Sequence, residues 1–415
     1  MNIADLSLAG LFVAIIVSCF SRVNIGVLSI VLAWIIGVYF GGMKLDTVMA
    51  GFPVSLFLTL AGVTLLFTQA QVNGTLDHLA HRAVRVCRGN VGWIPIMFFM
   101  VGLGLASMGP GNIAGIALLA PLAMATAYRA KVPPFLMAIM AGNGANAGAL
   151  SPFAPTGVIA SGLMSKIGLG GHEWQTYGYN VAAHALVAFG GYFLFGGWKL
   201  FGLRYVHQPE PGDASHEFLS RKHWTTLTVI FLLIASVILF RINVGMGAFV
   251  GAMILPILGA ADHVEAIKRM PWNVIVMVTG VTVLVSIMEK TQGIQLFSDM
   301  LARLATPHSA TAVVAFVVGL ISVYASTSGV ILPTFLPMVP SLVQRIGGGV
   351  HAFSLASSIN VGGHLVDVSP LSTIGALCIA SAIASSDSRK LFNQMLAWGL
   401  SMAVVGAGIC WLFFA

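Results

Sequence analysis

The chain has 415 residues, 58% of them hydrophobic and only 8% charged, with a formal net charge of +7. Soluble globular domains carry about a quarter charged residues, so this composition excludes one and leaves an all-α polytopic membrane protein. The positive balance resides at the ends of apolar stretches, where anionic headgroups and topology account for it, so no nucleic-acid partner is expected.

In chain order, the first apolar run, Leu6 to Phe20, is followed by no convincing small-residue cleavage site and is expected to be a retained helix. Spans near 25–42 and 52–70 follow. An arm over 72–91 carries His78, His81, Arg82, Arg85 and Arg88, which suits a helix lying along the membrane surface. Two short apolar segments, 92–106 and 113–128, are separated by SMGPGN and predict a re-entrant hairpin over 92–128. The run at 134–165 is interrupted by GNGANAGALSPFAPTG (142–157) and predicts a broken helix. A span at 178–200 precedes the only long hydrophilic interval, 204–223, which contains HQPEPGD and SRK. Beyond it lie spans near 224–240, 244–261 and 273–288, within 224–288, then an arm over 289–305. A hairpin of 310–325 and 330–345, within 310–345, surrounds STSG; a broken helix over 351–384 and a span over 393–413 end the series. Cys19, Cys87, Cys378 and Cys410 show no CxxC or Cys/His spacing, so no metal site or disulfide is expected.

The order of parts in 1–203 recurs in 224–415, with 204–223 as the linker, and SPFAPTG (151–157) answers SPLSTIG (369–375). A re-entrant hairpin returns to its own side, so each half crosses five times and the second half lies upside down relative to the first. Two inverted repeats of five spans each are therefore expected, each with a hairpin and a broken helix. Of the twenty Lys and Arg, fourteen fall on the linker side by this count and six on the other. The positive-inside rule then makes the linker cytoplasmic and both termini external, in a bacterial inner membrane. The first hairpin enters from the cytoplasm and the second from outside.

Irregular backbone at membrane depth is tolerated only where protein buries it or a watery cavity meets it, so the broken helices mark a site. In the first, glycines let the backbone leave the helix and prolines delay its return, and Asn143, Asn146, Ser151 and Thr156 offer polar groups along the unwound piece. Freed carbonyls such as that of Gly148 suit a cation. Half-helix starts, for example at Pro152 and at Asn112 just after the first hairpin tip, present unpaired N–H groups and a positive dipole end to an anion, without an arginine. In the second, Asp367 is the one acidic residue inside a broken span, and Asn360, His364, Ser369 and Thr373 lie around it. A mid-membrane carboxylate is costly enough that a role as cation ligand or protonation site is expected. Capping of the following half-helix is compatible with that role. His364 is placed to share a proton with Asp367 or to donate to substrate; a buried structural histidine is the other reading, and for His184 the preferred one.

The run AGFPVSLFLTLAGVTLLFTQAQVNGTLDHLAHRAVRVCRGNVG (50–92), together with GNGANAGALSPFAPTGV, resembles the amino-terminal region of MatC-type malonate/dicarboxylate carriers in the ion transporter superfamily. The whole arrangement resembles the divalent anion/sodium symporters of that superfamily. The resemblance implies homodimers, two opposed hairpins and an elevator-like movement of a transport domain past a scaffold. It also implies that the hairpin tips contact substrate carboxylate and frame a cation site through a Ser-Asn-Thr signature. Here the tips read Gly109-Pro110-Gly111-Asn112 and Ser326-Thr327-Ser328-Gly329, so the signature is only partly kept.

Together these readings give secondary transport of a small dicarboxylate, malonate- or succinate-like, in a lipid bilayer. Substrate contacts are expected from Gly111, Asn112, Asn146, Ser151, Thr156, Ser326, Thr327, Ser328, His364, Ser369 and Thr373. Cation contacts are expected from Asn143, Gly148, Asn360 and Asp367, with Na+ or a proton as the coupling ion and no cofactor. A cation/proton antiporter centred on Asp367 is the alternative. An intramembrane protease using Ser328 with His364 is a remote one, at odds with the duplicated layout. GNGANAG lacks the Lys-Ser/Thr of a phosphate-binding loop, so ATP-driven transport is not expected from this chain.

Overall fold

A computed structural model describes residues 2–20, 23–79, 89–205, 219–240, 242–382 and 388–415. Arg82, Arg85, Arg88 and Cys87 of the first arm, the middle of the linker and Arg241 lie outside these residues. The described chain is helical apart from a two-residue antiparallel pairing of Gly89–Asn90 with Arg204–Tyr205. That pairing ties the start of the first hairpin to the start of the linker.

Among the described residues, six helices are long and apolar enough to cross a membrane: Val54–Val72, Gly111–Arg129, Trp272–Lys290, Thr327–Ile346, Ala352–Ala380 and Arg389–Phe414. Ile3–Val17, Ile25–Phe40 and Val244–Ile257 are shorter apolar helices. Large side chains such as Phe231, Leu239, Val404 and Leu412 are exposed, the arrangement that hydrocarbon surroundings permit and water disfavours. The protein is an integral membrane protein.

Two helix crossings organise one side of the molecule, Ile25–Trp34 on Trp272–Lys290 and Val244–Ile257 on Val54–Val72. A Cβ on Gly26 would stand 2.1 Å from the Val276 carbonyl oxygen, and one on Gly62 would stand 2.3 Å from that of Gly245. Backbones therefore touch at both crossings, which is how helices associate when lipid removes the hydrophobic drive between them. Both crossing helices also start alike, with Asn24 accepting from Gly26 N at 2.8 Å and Asn243 from Gly245 N at 3.0 Å. Gly62 and Gly280 are 218 positions apart, as are Ser151 and Ser369, while Gly26 and Gly245 are 219 apart. Offsets of 218 and 219, one residue apart, thus relate both the crossings and the two SP motifs.

The first hairpin rises through Trp93–Ser107, 15 residues and so about 22 Å long, short of a hydrocarbon core of about 30 Å. It turns at 108–110 and returns as Gly111–Arg129. Gly109 has φ +135°, and a Cβ there would lie 1.8 Å from the Phe67 ring, so both the turn and its neighbour require glycine. The second hairpin is Ala310–Ser322 followed by a return that starts as a π-helical turn, Thr327–Ile331, with Ser326 accepting from Gly329 N at 3.1 Å.

The broken helices are Pro134–Gly148 with Pro155–Lys166, and Ala352–Leu365 with Thr373–Ala380 after a 3-10 turn, Val366–Val368. GNGANAG is helical, contrary to the expectation that its glycines unwind the chain. A Cβ on Gly144 would lie 2.3 Å from the Phe99 carbonyl oxygen and one on Gly148 2.7 Å from that of Leu103, so these glycines admit the first hairpin at close range. Only 149–154 leaves the helix, and the second half-helix starts at Pro155 and not at Pro152. Beyond each break the half-helix packs on the hairpin of the other half: Pro155–Lys166 against the return of the second, Thr373–Ala380 against the first. This exchange draws both tips and both breaks together. One apolar cluster unites the glycine-crossed helices with the second hairpin, including Leu66, Val278 and Val330, and a second unites the first hairpin with the helices Pro134–Gly148, Glu173–Leu194 and Ser388–Phe414.

Candidate functional site

The two tips meet at a pair of adjoining cavities that share Asn112, Ile113 and Ser328. The more polar one, about 190 Å³, is lined by Ser326, Thr327, Ser328, His364, Asp367 and Thr373 among others. Asp367 sits in the 3-10 turn of the second break, and its two carboxylate oxygens each lie 2.8 Å from Thr327 Oγ1. Ser322 Oγ is 2.5 Å from Thr327 Oγ1 and 3.5 Å from Asp367 Oδ1, and Gly363 O is 3.1 Å from Thr327 Oγ1. A threonine hydroxyl has one proton, so an ionised Asp367 receives it while Ser322 donates to Thr327. The π turn at the tip is what aims Thr327 at the carboxylate; such turns commonly mark functional positions.

Asp367 does not cap the following half-helix, as the sequence had allowed. Ser372 takes that role, accepting from Gly375 N at 3.4 Å, and its hydroxyl also donates to the carbonyls of Asp367 and Ser369. Nor is His364 bonded to Asp367 or Ser328. Its Nδ1 donates to the Asn360 carbonyl at 2.7 Å, leaving Nε2 buried and without a partner at the edge of this cavity. The hydrogen bond that a Ser328–His364 dyad requires is therefore missing, and the protease reading has no geometric support.

The first break contributes through Asn146, which links three segments. Asn112 Nδ2 donates to Asn146 Oδ1 at 2.8 Å, Asn146 Nδ2 lies 3.5 Å from the His364 carbonyl, and Asn180 Nδ2 donates to the Asn146 carbonyl at 2.8 Å. Ser151 donates to the Ser107 carbonyl at 2.7 Å, tying the break to the hairpin tip. Gly111 and Thr156 line the second cavity, about 170 Å³, with Thr64, Thr68, Gln71 and Pro155. Of the expected substrate residues, Asn146, Ser151 and Ser369 stand behind the cavities and the rest line them.

The expected cation residues are not brought together. Asn143 donates to Ile139 O and accepts from His184 Nδ1 at 2.9 Å, away from both cavities, and Gly148 accepts from Ser151 N within the break. Asn360 has an unpartnered Oδ1 in the interior. Asp367 alone of the four faces a cavity, and no cluster of three or more His, Cys, Asp or Glu that suits a metal occurs among the described residues. One residue was read from the sequence only as a topology charge and not as part of the site. Arg269, at the end of the short helix His263–Arg269, lines the second cavity, so the site does include an arginine.

Residues 1–149 match the family model of the dicarboxylate carrier protein MatC N-terminus, and residues 236–415 match that of the citrate transporter family. The chain is a membrane transporter of the dicarboxylate and citrate carrier type. It is 24% identical over 380 residues to the uncharacterized transporters Rv2684 of Mycobacterium tuberculosis and Mb2703 of Mycobacterium bovis, covering 87% of this chain and 86% of each relative. Its fold is similar to that of the Alcanivorax borkumensis YdaH transporter, with a TM-score of 0.58 at 15% identity over 88% of this chain and 87% of that one. A transporter of this type is not an enzyme and needs no cofactor.

Proposed function

We propose that the protein is a cation-coupled secondary transporter of small dicarboxylates, malonate- or succinate-like, working by elevator-type alternating access. The observation that carries this reading is the convergence of two hairpin tips and two helix breaks on adjoining cavities, one holding the Asp367 carboxylate and the other Arg269. The anion lies between the tips, against the amino-terminal ends of Gly111–Arg129 and Pro155–Lys166, where unpaired N–H groups favour negative charge. The coupling ion, Na+ or a proton, is taken by Asp367. A hard cation seeks oxygen ligands, and Asp367, Thr327, Ser322 and the Gly363 carbonyl present them in one cluster. His364 Nε2 is free to donate to substrate when protonated.

The recurring crossings and SP motifs support two inverted repeats, residues 1–203 and 224–415, with the cytoplasmic linker 204–223 between them. On this reading a unit carrying the hairpins moves past a scaffold within a homodimer, in a bacterial inner membrane with both termini outside. Uptake of labelled malonate or succinate into proteoliposomes is expected only under an imposed sodium or proton gradient. Gradient-independent uptake, or none for any short dicarboxylate, would overturn the reading.

A further inference from the structure

The second cavity is lined by one charged side chain, Arg269, that belongs to neither break nor tip. Thr68, Thr156 and Ser328 line it at 6%, 5% and 8% exposure, and their hydroxyls make no hydrogen bond among the described residues. These three hydroxyls face the cavity with their donor and acceptor capacity unspent, so a polar occupant can take it up. Charge decides which occupant. No acidic side chain lines this cavity, whereas Arg269 does. The Nε of Arg269 is 2.6 Å from Glu265 Oε1, and this is the one hydrogen bond of its side chain among the described residues. A guanidinium has five N–H donors in a fixed fork, so the Nη edge remains available for a second carboxylate in bidentate geometry. Arg269 is also on the linker side: Asn73, at the same end of Val54–Val72 as Gln71, bonds to Thr226 and to the Ala260 carbonyl.

We propose that Arg269 is the charge-selecting residue of the transporter, taking the distal carboxylate of a substrate whose proximal carboxylate lies between the hairpin tips. This inference rests on the transport reading above and adds to it the basis for preferring dianions over monocarboxylates of equal length. Glu265 holds the guanidinium in place and takes no part in binding. Because the arginine side chain is 63% exposed, its pull on the anion weakens as salt rises.

The test is titration of the purified full-length protein with succinate and with butyrate, which share a four-carbon chain and differ in one carboxylate. For Arg269→Gln the succinate Kd is expected to rise about tenfold, a hydrogen-bonded charge discounted for its exposure, while that of butyrate stays within about twofold. Arg269→Lys, which keeps the charge and loses the fork, falls between. Glu265→Gln keeps succinate affinity, which a purely structural role of the ion pair would not allow. An unchanged succinate Kd in Arg269→Gln, an equal loss for butyrate, or the same loss in Glu265→Gln overturns the subsite and leaves the transport reading standing. Failure of the unaltered protein to bind any dicarboxylate overturns both.

Discussion

The contact between Asn112 and Asn146 is the most direct way to measure how the first tip is held against the first break. Asn112 is 7% exposed and Asn146 fully buried, and their amides are 2.8 Å apart. Asn112→Ala removes the donor and leaves Asn146 Oδ1 buried without one, a cost of about 1–3 kcal/mol. Asn146→Ala frees Asn112 Nδ2, which faces a cavity that water can enter, so its cost lies toward the lower end of that range. The double variant leaves neither group orphaned and is expected to cost less than the sum of the singles by about 1–2 kcal/mol. That coupling equals roughly a five- to thirtyfold factor in an equilibrium constant. Uptake kinetics in proteoliposomes give the substrate Km for all four proteins, and unfolding of the same preparations gives stability separately. If Asn112 also touches substrate, Asn112→Ala and the double variant share an increase in Km that Asn146→Ala lacks. A coupling below about 0.5 kcal/mol in both readouts would mean the amides act independently, and the tip is then not positioned by this bond.

Asp367→Asn is expected to flatten the dependence of uptake on sodium or pH while preserving the order of preferred dicarboxylates; unchanged cation dependence would remove Asp367 from coupling. If the proton is the coupling ion, uptake by the unaltered protein falls as pH rises, and the variant loses that slope. Thr327→Val removes the hydroxyl that lies 2.8 Å from both Asp367 oxygens and is expected to shift the half-maximal cation concentration by about tenfold, with Thr327→Ser restoring it. Equal behaviour of the valine and serine variants would contradict this. Gly157→Ala and Gly375→Ala place a Cβ 1.9 Å and 2.0 Å from the carbonyl oxygens of Ser151 and Ser369, an overpacking expected to cost at least about 1–3 kcal/mol in unfolding experiments. Gly104→Ala, with no atom within 4 Å, serves as the control and is expected to be neutral or stabilising by up to about 1 kcal/mol.

The helices and their order were legible because each signal is local: apolar length for the spans, and Gly and Pro for the tips and breaks. What GNGANAG does was not legible. A glycine that unwinds a helix and one that lets another backbone approach look alike in sequence, and only the structure, where a Cβ on Gly144 would lie 2.3 Å from Phe99 O, separates them. The same limit applies to Asp367, where Ser372 wins the capping role because it sits immediately before Thr373, whereas Asp367 ends in the preceding turn. Arg269 was hidden for a different reason. Beside Lys268 it counts as one more cytoplasmic charge, and nothing in its neighbourhood signals that the short helix carries it over the first hairpin tip. The repeat offset does offer a signal after the fact. Counting back 218 positions, Arg269 corresponds to Gly51 and Asp367 to Ala149, so neither charge at the site has a charged counterpart in the first half. The offset leaves the glycine crossings and the SP motifs matched, so the scaffold of the duplication persists where packing demands it. On the proposed reading, the unmatched charges are the places where function, and not packing, dictates the residue. A duplicated site made only of helix ends treats an anion alike from both halves. On the proposed reading, adding a guanidinium and a carboxylate from the second half alone would give the site a polarity, with an anion end toward Arg269 and a cation end toward Asp367.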